Sequence, residues 1–141
     1  MNKKVYVSIL GSTAVDGDCD NTELVTEGEY VQRNGKYLLK YNEQIDSELG
    51  ECSTIIKMDN NMVVMTRTGQ ANTQMIFEQG KRHVSHYETP LGSFTIGVST
   101  DSLEVNVDET GGNVRVNYVL DINSSAQIHN KLHINIRPER I

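Results

Sequence analysis

The sequence predicts an all-β protein folded as a single closed antiparallel β-barrel of about eight to ten strands. Three observations predict it. Apolar residues recur at every second position over most of the chain, the rhythm of a half-buried strand. Turn residues interrupt these runs at short, regular spacing, Asn34-Gly35 foremost. No stretch of useful length carries a helical period. Hairpin follows hairpin with short connections, so the simplest topology is an up-and-down meander. A sheet this wide exposes two long edges unless it closes, and closure favours a barrel over a sandwich.

The elements follow in order. Lys4 to Leu10 reads as a strand, with Val5, Val7 and Ile9 on one face. Gly11 to Asn21 is rich in Gly, Asp and Ser and predicts a loop. Glu23 to Gln32 and Lys36 to Glu43 flank Asn34-Gly35, the pair that supplies positive φ to a type I′ turn. Cys52 to Met58 and Met62 to Thr68 form a hairpin across Asp59-Asn60-Asn61. Thr73 to Glu78 and His83 to Thr89 form another across Gln79-Gly80-Lys81. Gly92 to Ser99 and Leu103 to Val107 predict a further hairpin across Thr100-Asp101-Ser102. Val114 to Ile122 follows Glu109-Thr110-Gly111-Gly112, and a last strand from Ile128 to Arg137 stops at Pro138.

A chain of 141 residues suits one domain, 1–141, with an ordinary core and no need of staples. The net charge of −6 argues against nucleic acid, because phosphate binding draws its affinity from a basic surplus. The basic groups are short: Lys3-Lys4, Lys81-Arg82, and Arg137 with Arg140. The two cysteines, Cys19 and Cys52, fit a reducing, cytoplasmic setting better than a disulfide framework. The apolar run from Val5 to Leu10 is too short for a signal-peptide core or a membrane span, so no membrane partner is expected.

Several stretches resemble a known family. They are Thr22 to Tyr30, Tyr37 to Tyr41, Gly69 to Gly80, His86-Tyr87-Glu88-Thr89-Pro90-Leu91-Gly92 and Ile96-Gly97-Val98-Ser99-Thr100. Together they are similar to the YwiB-like family of small bacterial proteins of unknown function. The resemblance runs from about Lys4 to Ile136 and implies a calycin-like, lipocalin-like β-barrel in a bacterial cytosol. It carries over no activity and no site residues, and a fold does not assign a function.

Candidate sites must therefore come from the residues. Asp16, Asp18, Asp20 and Glu27 fall at positions one, three, five and twelve of an EF-hand-like loop, a spacing that can converge on a hard cation. Asn21 stands where that loop needs glycine, and the flanks read as strands, so a solvated acidic loop is the plainer reading. His83 and His86 point to opposite faces of a strand, and His129 and His133 lie about 13 Å apart along theirs. No metal is expected from them. There is no Gly-x-Ser-x-Gly elbow, and no glycine-rich phosphate loop precedes a helix. Acidic neighbours disfavour a thiolate at Cys19 and Cys52. Neither catalysis nor a cofactor is indicated.

The informative strands have mixed faces. Val63, Met65 and Arg67 share one face, and His83, Ser85, Tyr87 and Thr89 share another. If these faces turn inward, Arg67 and Tyr87 enter the lumen, with Gln74 or Thr89 near a mouth. A few polar groups in an apolar cavity is a ligand-site pattern, and Arg67 suits an anionic head group. The expectation is a non-catalytic barrel holding a small anionic or amphipathic ligand. The rival is a protein-interaction module or homodimer, its barrel filled, presenting Tyr30, Tyr37 and Tyr41 as an aromatic patch.

Overall fold

The chain forms ten strands: β1 (Lys3–Val15), β2 (Asp18–Arg33), β3 (Lys36–Asp46), β4 (Gly50–Met58), β5 (Met62–Gly69), β6 (Asn72–Glu78), β7 (Arg82–Thr89), β8 (Gly92–Asp108), β9 (Gly111–Ile122) and β10 (Ala126–Pro138). The computed structural model describes residues 3–15, 18–46, 50–69, 72–89, 92–122 and 126–139, without the side chains of 15, 18, 43–46, 50–52, 89 and 126. Each strand pairs antiparallel with the next, and β10 returns to β1, so the sheet closes in sequence order. The meander and the closure expected from the sequence are both present.

The β2–β3, β4–β5, β6–β7 and β8–β9 connections gather at one end, here the short-turn end, and the other five connections at the far end. The β2–β3 turn holds Asn34 at φ 55° and Gly35 at φ 76°, the two positive values a type I′ turn demands. Inside the barrel, toward the short-turn end, the lumen is packed. Val5, Val7, Tyr30, Leu39, Ile56, Met58, Val63, Phe77, Val114, Val116 and Ile134 are almost fully buried there. Tyr30 and Tyr37 stack with ring centroids 5.8 Å apart, and the Tyr30 hydroxyl donates to the Asp108 carbonyl at 2.7 Å. Burial is the main reason the Tyr30 phenol is pushed far above its ordinary range. The aromatic surface patch expected at Tyr30, Tyr37 and Tyr41 does not exist: Tyr30 is 1% and Tyr41 3% exposed, and Tyr37 packs against the core. Barrel closure turns that face of β2 and β3 inward.

Two local expectations are corrected. The polar stretch from Gly11 to Asn21, read as a loop, is strand on both sides of residues 16–17, with Val15 opposite Asp18. Strand ends at a barrel rim are solvated, so they lose the apolar alternation without losing the ladder. Thr100-Asp101-Ser102 is a bulge within one strand and not a turn. Thr100 faces Tyr118 and Ser102 faces Asn117, which leaves Asp101 as the extra residue, exposed to solvent. The bulge slips the phase of alternation by one. Ile96 and Val98 point inward before it and Leu103 and Val105 after it, which keeps one apolar face on a strand of 17 residues.

The wall is weakest between β6 and β7. The turn closes with Lys81 N–H donating to the Glu78 carbonyl at 3.0 Å. Pairing continued from that turn would set Thr73 opposite His86, but its partner is Tyr87, so β7 carries one residue too many. Among the described residues, ladder pairing is confined to Asn72 with Glu88 and Thr73 with Tyr87. Beyond them side chains bridge the seam: the Ser85 hydroxyl donates to the Gln74 carbonyl, and His83 Nε2 meets Glu78 Oε1 at 2.9 Å. Outside the wall, Arg82 lies flat over Gly97 and grips Asp121 through Nε at 3.2 Å and Nη2 at 2.9 Å. A Cβ at Gly97 would stand 2.7 Å from Arg82 Cζ, so only glycine leaves room for this pair.

Candidate lumenal site

Cross-strand register builds a row of polar side chains on the inner wall, nearer the far end. Tyr41, Thr54, Arg67, Thr73 and Tyr87 stand directly opposite one another on β3, β4, β5, β6 and β7. Directly opposed residues share a face, so the row follows from the hairpin registers alone. Thr54 is 0% and Thr73 7% exposed, and each flanks Arg67. Neither threonine hydroxyl has a hydrogen-bond partner among the described residues. An unsatisfied buried hydroxyl costs roughly 1–3 kcal/mol, so two beside one guanidinium are an expense the fold carries for some reason.

Tyr118 on β9 reaches toward this row. Its ring packs against Phe77 of β6 at a centroid distance of 4.8 Å. Burial pushes its phenol up to about 12, and the Arg67 charge pulls the other way, which places the guanidinium within electrostatic reach of the phenol. In a ring of ten strands, β9 and β10 lie across from β4 and β5. On β8 and β9 Ile96, Val98 and Leu120 make an apolar stretch, next to which Thr100 stands opposite Tyr118 with its hydroxyl buried and without a partner among the described residues. Polar donors thus crowd one side of the lumen, and hydrocarbon makes up most of the other. Guanidinium and hydroxyl hydrogens facing an apolar wall suit the oxygens of an anion that carries an apolar body.

The structure brings together only part of the residues expected. Arg67 and Tyr87 share the inner row, as anticipated. Gln74 does not: it is exposed and faces Thr66 on the outer surface, because its neighbours Thr73 and Met75 take the inner positions. Thr89 ends β7 opposite Gly92, and its side chain lies outside the described residues. Of the acidic loop, Asp16 and the Asp18 side chain also lie outside them. Asp20 and Glu27 sit on β2 itself, on opposite faces and about 23 Å apart along the strand, so they cannot share one cation.

Among the described residues no group of three His, Cys, Asp or Glu converges as metal ligands. His83 holds Glu78, whose carboxyl is kept below its usual range chiefly by that hydrogen bond and then by Lys81. This pair is about 13 Å along β7 from Tyr87 and does not join the polar row. Sequence reasoning did not single out Thr54, Thr73 or Tyr118, and it set Tyr41 on an outer aromatic patch. The signal for Thr54 was available: the Asp59-Asn60-Asn61 turn sets Met58 opposite Val63, and counting back sets Thr54 opposite Arg67.

The comparisons agree with this architecture. An uncharacterised β-barrel protein of Bacillus subtilis (strain 168), YwiB, is 28% identical over 116 residues, which cover 82% of this chain and 80% of that protein. The crystal structure of YwiB from Bacillus subtilis superposes with a TM-score of 0.85 at 22% identity, covering 99% of this chain and 94% of the other, and so shares its fold. The model of a domain of unknown function, DUF1934, matches residues 7–134. A match over nearly the whole barrel, together with the shared fold, settles the affiliation: the chain belongs to the DUF1934 family.

Proposed function

We propose that the protein binds a small amphipathic anion, a carboxylate with an apolar body, in the polar part of its lumen and leaves it chemically unchanged. One observation carries the reading: Arg67 stands between two buried threonine hydroxyls that lack partners. A carboxylate can accept from the guanidinium and from both hydroxyls at once, which removes the desolvation cost that the two hydroxyls bear. Its apolar body would lie against Ile96, Val98 and Leu120. Binding suits this row better than catalysis because its members donate hydrogen bonds, while the His83–Glu78 pair that could move a proton stands apart.

We assign the protein to the cytoplasm in the same reading. Cys19 is exposed and unpaired, as a reducing compartment permits. The outer wall carries exposed charge at mid-strand, at Glu27, Lys40, Arg115 and Lys131, where a lipid-facing barrel presents an apolar band.

The test is thermal unfolding against a panel of fatty acids and smaller carboxylates. A ligand at a hundredfold its Kd stabilises the native state by about 2.7 kcal/mol, or roughly 5–10 °C for a domain this size. Arg67→Gln should abolish most of that shift. If no compound moves the wild-type melting temperature, or Arg67→Gln keeps the full shift, the reading fails.

A further inference from the structure

The polar row is shut away from water. Thr54 Oγ1, Thr73 Oγ1 and Arg67 Nε are each shielded from solvent. The short-turn end of the lumen is packed with buried core residues. A molecule that reaches these atoms must therefore meet the wall in an open state. A wall opens first where the fewest hydrogen bonds hold it.

The β6–β7 seam is that place, and it borders the row: Thr73 stands on one bank and Tyr87 on the other. Each bank is tied more firmly to its outer neighbour than to the opposite bank. β6 is laddered to β5 from Met62 with Glu78 to Arg67 with Thr73, and β7 to β8 from Arg82 with Ser99 to Thr89 with Gly92. The hairpin tip goes with β8. Gly80 N–H donates to the Thr100 carbonyl at 2.9 Å, Thr100 N–H to the Lys81 carbonyl at 3.1 Å, and Leu103 N–H to Gln79 Oε1 at 3.3 Å. Between the ladder pairs and the turn, the hydrogen bonds that cross the seam are made by side chains, from Ser85 to the Gln74 carbonyl and between His83 and Glu78. The lips of this stretch are apolar. Val84 of β7 is 53% exposed and Ile76 of β6 is half-buried on the outside. Inside stands Met75, opposite Met65 and one inward position from Thr73, and methionine side chains yield readily to a passing group.

We infer that the seam is the gate of the lumenal site: β6 parts from β7, from the Asn72–Glu88 pair toward the Gln79-Gly80 turn, and the ligand enters sideways between them. This route rests on the carboxylate reading above. Parting Thr73 from Tyr87 uncovers the Thr73 hydroxyl and the guanidinium beside it, so the carboxylate meets its donors as the wall opens. The apolar body follows between Val84 and Ile76. Gly80, at φ 79°, lets the turn flex without strain. Closing the seam again shuts out water, which strengthens the bonds to the anion.

The experiment locks the gate and times the passage. Asn72 and Glu88 are directly opposed, with side chains outside the polar row, and the Cα spacing of such a pair suits a disulfide. Asn72→Cys with Glu88→Cys is made in a chain carrying Cys19→Ser and Cys52→Ser, with mass spectrometry to confirm the bond and circular dichroism to confirm folding. The probe is dansylaminoundecanoate, a fluorescent carboxylate with an apolar chain, followed by stopped-flow mixing. The oxidised protein should take up and release the probe at least about tenfold more slowly than the same protein reduced, with little change in affinity. Ser85→Ala, which removes one bond across the seam, should speed both rates about fivefold. A probe that enters the oxidised protein as fast as the reduced one, or rates unchanged in Ser85→Ala, overturns the gate and leaves the lumenal site standing. A wild type that binds no probe overturns both.

Discussion

Thr54→Val isolates the cost carried by the polar row. Valine matches threonine in shape and β-propensity, so the change removes one hydroxyl and little else. Thr54 is fully buried and its Oγ1 has no partner among the described residues. A hydroxyl in that state costs roughly 1–3 kcal/mol relative to water, and the cost disappears with the oxygen. The ligand-free variant should therefore be more stable by about 1–2 kcal/mol, which for a domain this size raises the melting temperature by roughly 3–6 °C. Urea titration gives the same quantity as a shift of the midpoint at constant slope. The carboxylate that stabilises the wild type should bind the variant about tenfold more weakly, since one charge-assisted hydrogen bond is gone. Stability gained together with affinity lost is the mark of a group retained for binding. If Thr54→Val destabilises the protein by 1 kcal/mol or more, the hydroxyl is satisfied in the free protein and the argument for an anion site beside Arg67 collapses.

Two other outcomes follow from the described contacts. Burial raises the Tyr118 phenol to about 12 from an ordinary value of 10.0 and raises Tyr30 as well, so both favour the folded state below pH 10 and withdraw that support as pH climbs through their folded values; titration at 295 nm should show late tyrosinate formation coincident with unfolding, and Tyr118→Phe should remove part of the loss, whereas early ionisation of all six tyrosines would contradict the burial. The β6–β7 seam has ladder pairs only at Asn72 with Glu88 and Thr73 with Tyr87, so the amides of 74–78 that point across it should exchange with deuterium faster than those of β8 and β9, and Ser85→Ala should speed them further; equal protection in both regions would mean the seam is closed.

The fold was legible because closure and meander both follow from alternation and short turns, which are local signals. Asn34-Gly35 is the clearest case, where dipeptide chemistry alone names the turn. What misled at Thr100-Asp101-Ser102 was a slip in alternation, which a turn and a bulge both produce; only the partner strand decides, and Tyr118 and Asn117 continue unbroken opposite it. The site was half legible. Arg67 and Tyr87 stand out because charge and phenol interrupt apolar faces. Thr54 and Thr73 do not, since threonine is at home on either face of a strand and only cross-strand counting puts both beside Arg67. Gln74 was misplaced by one residue of phase, the smallest error that moves a side chain from lumen to solvent.

Closure is also what makes the polar row a candidate site. On an open sheet Thr54, Arg67 and Thr73 would face water, and their hydrogens would be satisfied at no cost. Curling the sheet removes the water and sets the mostly apolar stretch of β8 and β9 across from them, which leaves the two threonine hydroxyls in need of an acceptor. The packed short-turn end, with Tyr30 held to Asp108 and the buried aliphatic residues around it, supplies the stability that tolerates this. The row also ends where the wall loosens: Thr73 with Tyr87 is the last ladder pair before the seam, and both residues belong to the row. A ligand drawn to Arg67 and Thr73 would thus bind at the boundary between laddered wall and side-chain-bridged wall. By linkage, its binding should reduce exchange across the β6–β7 seam and leave β8–β9 unchanged.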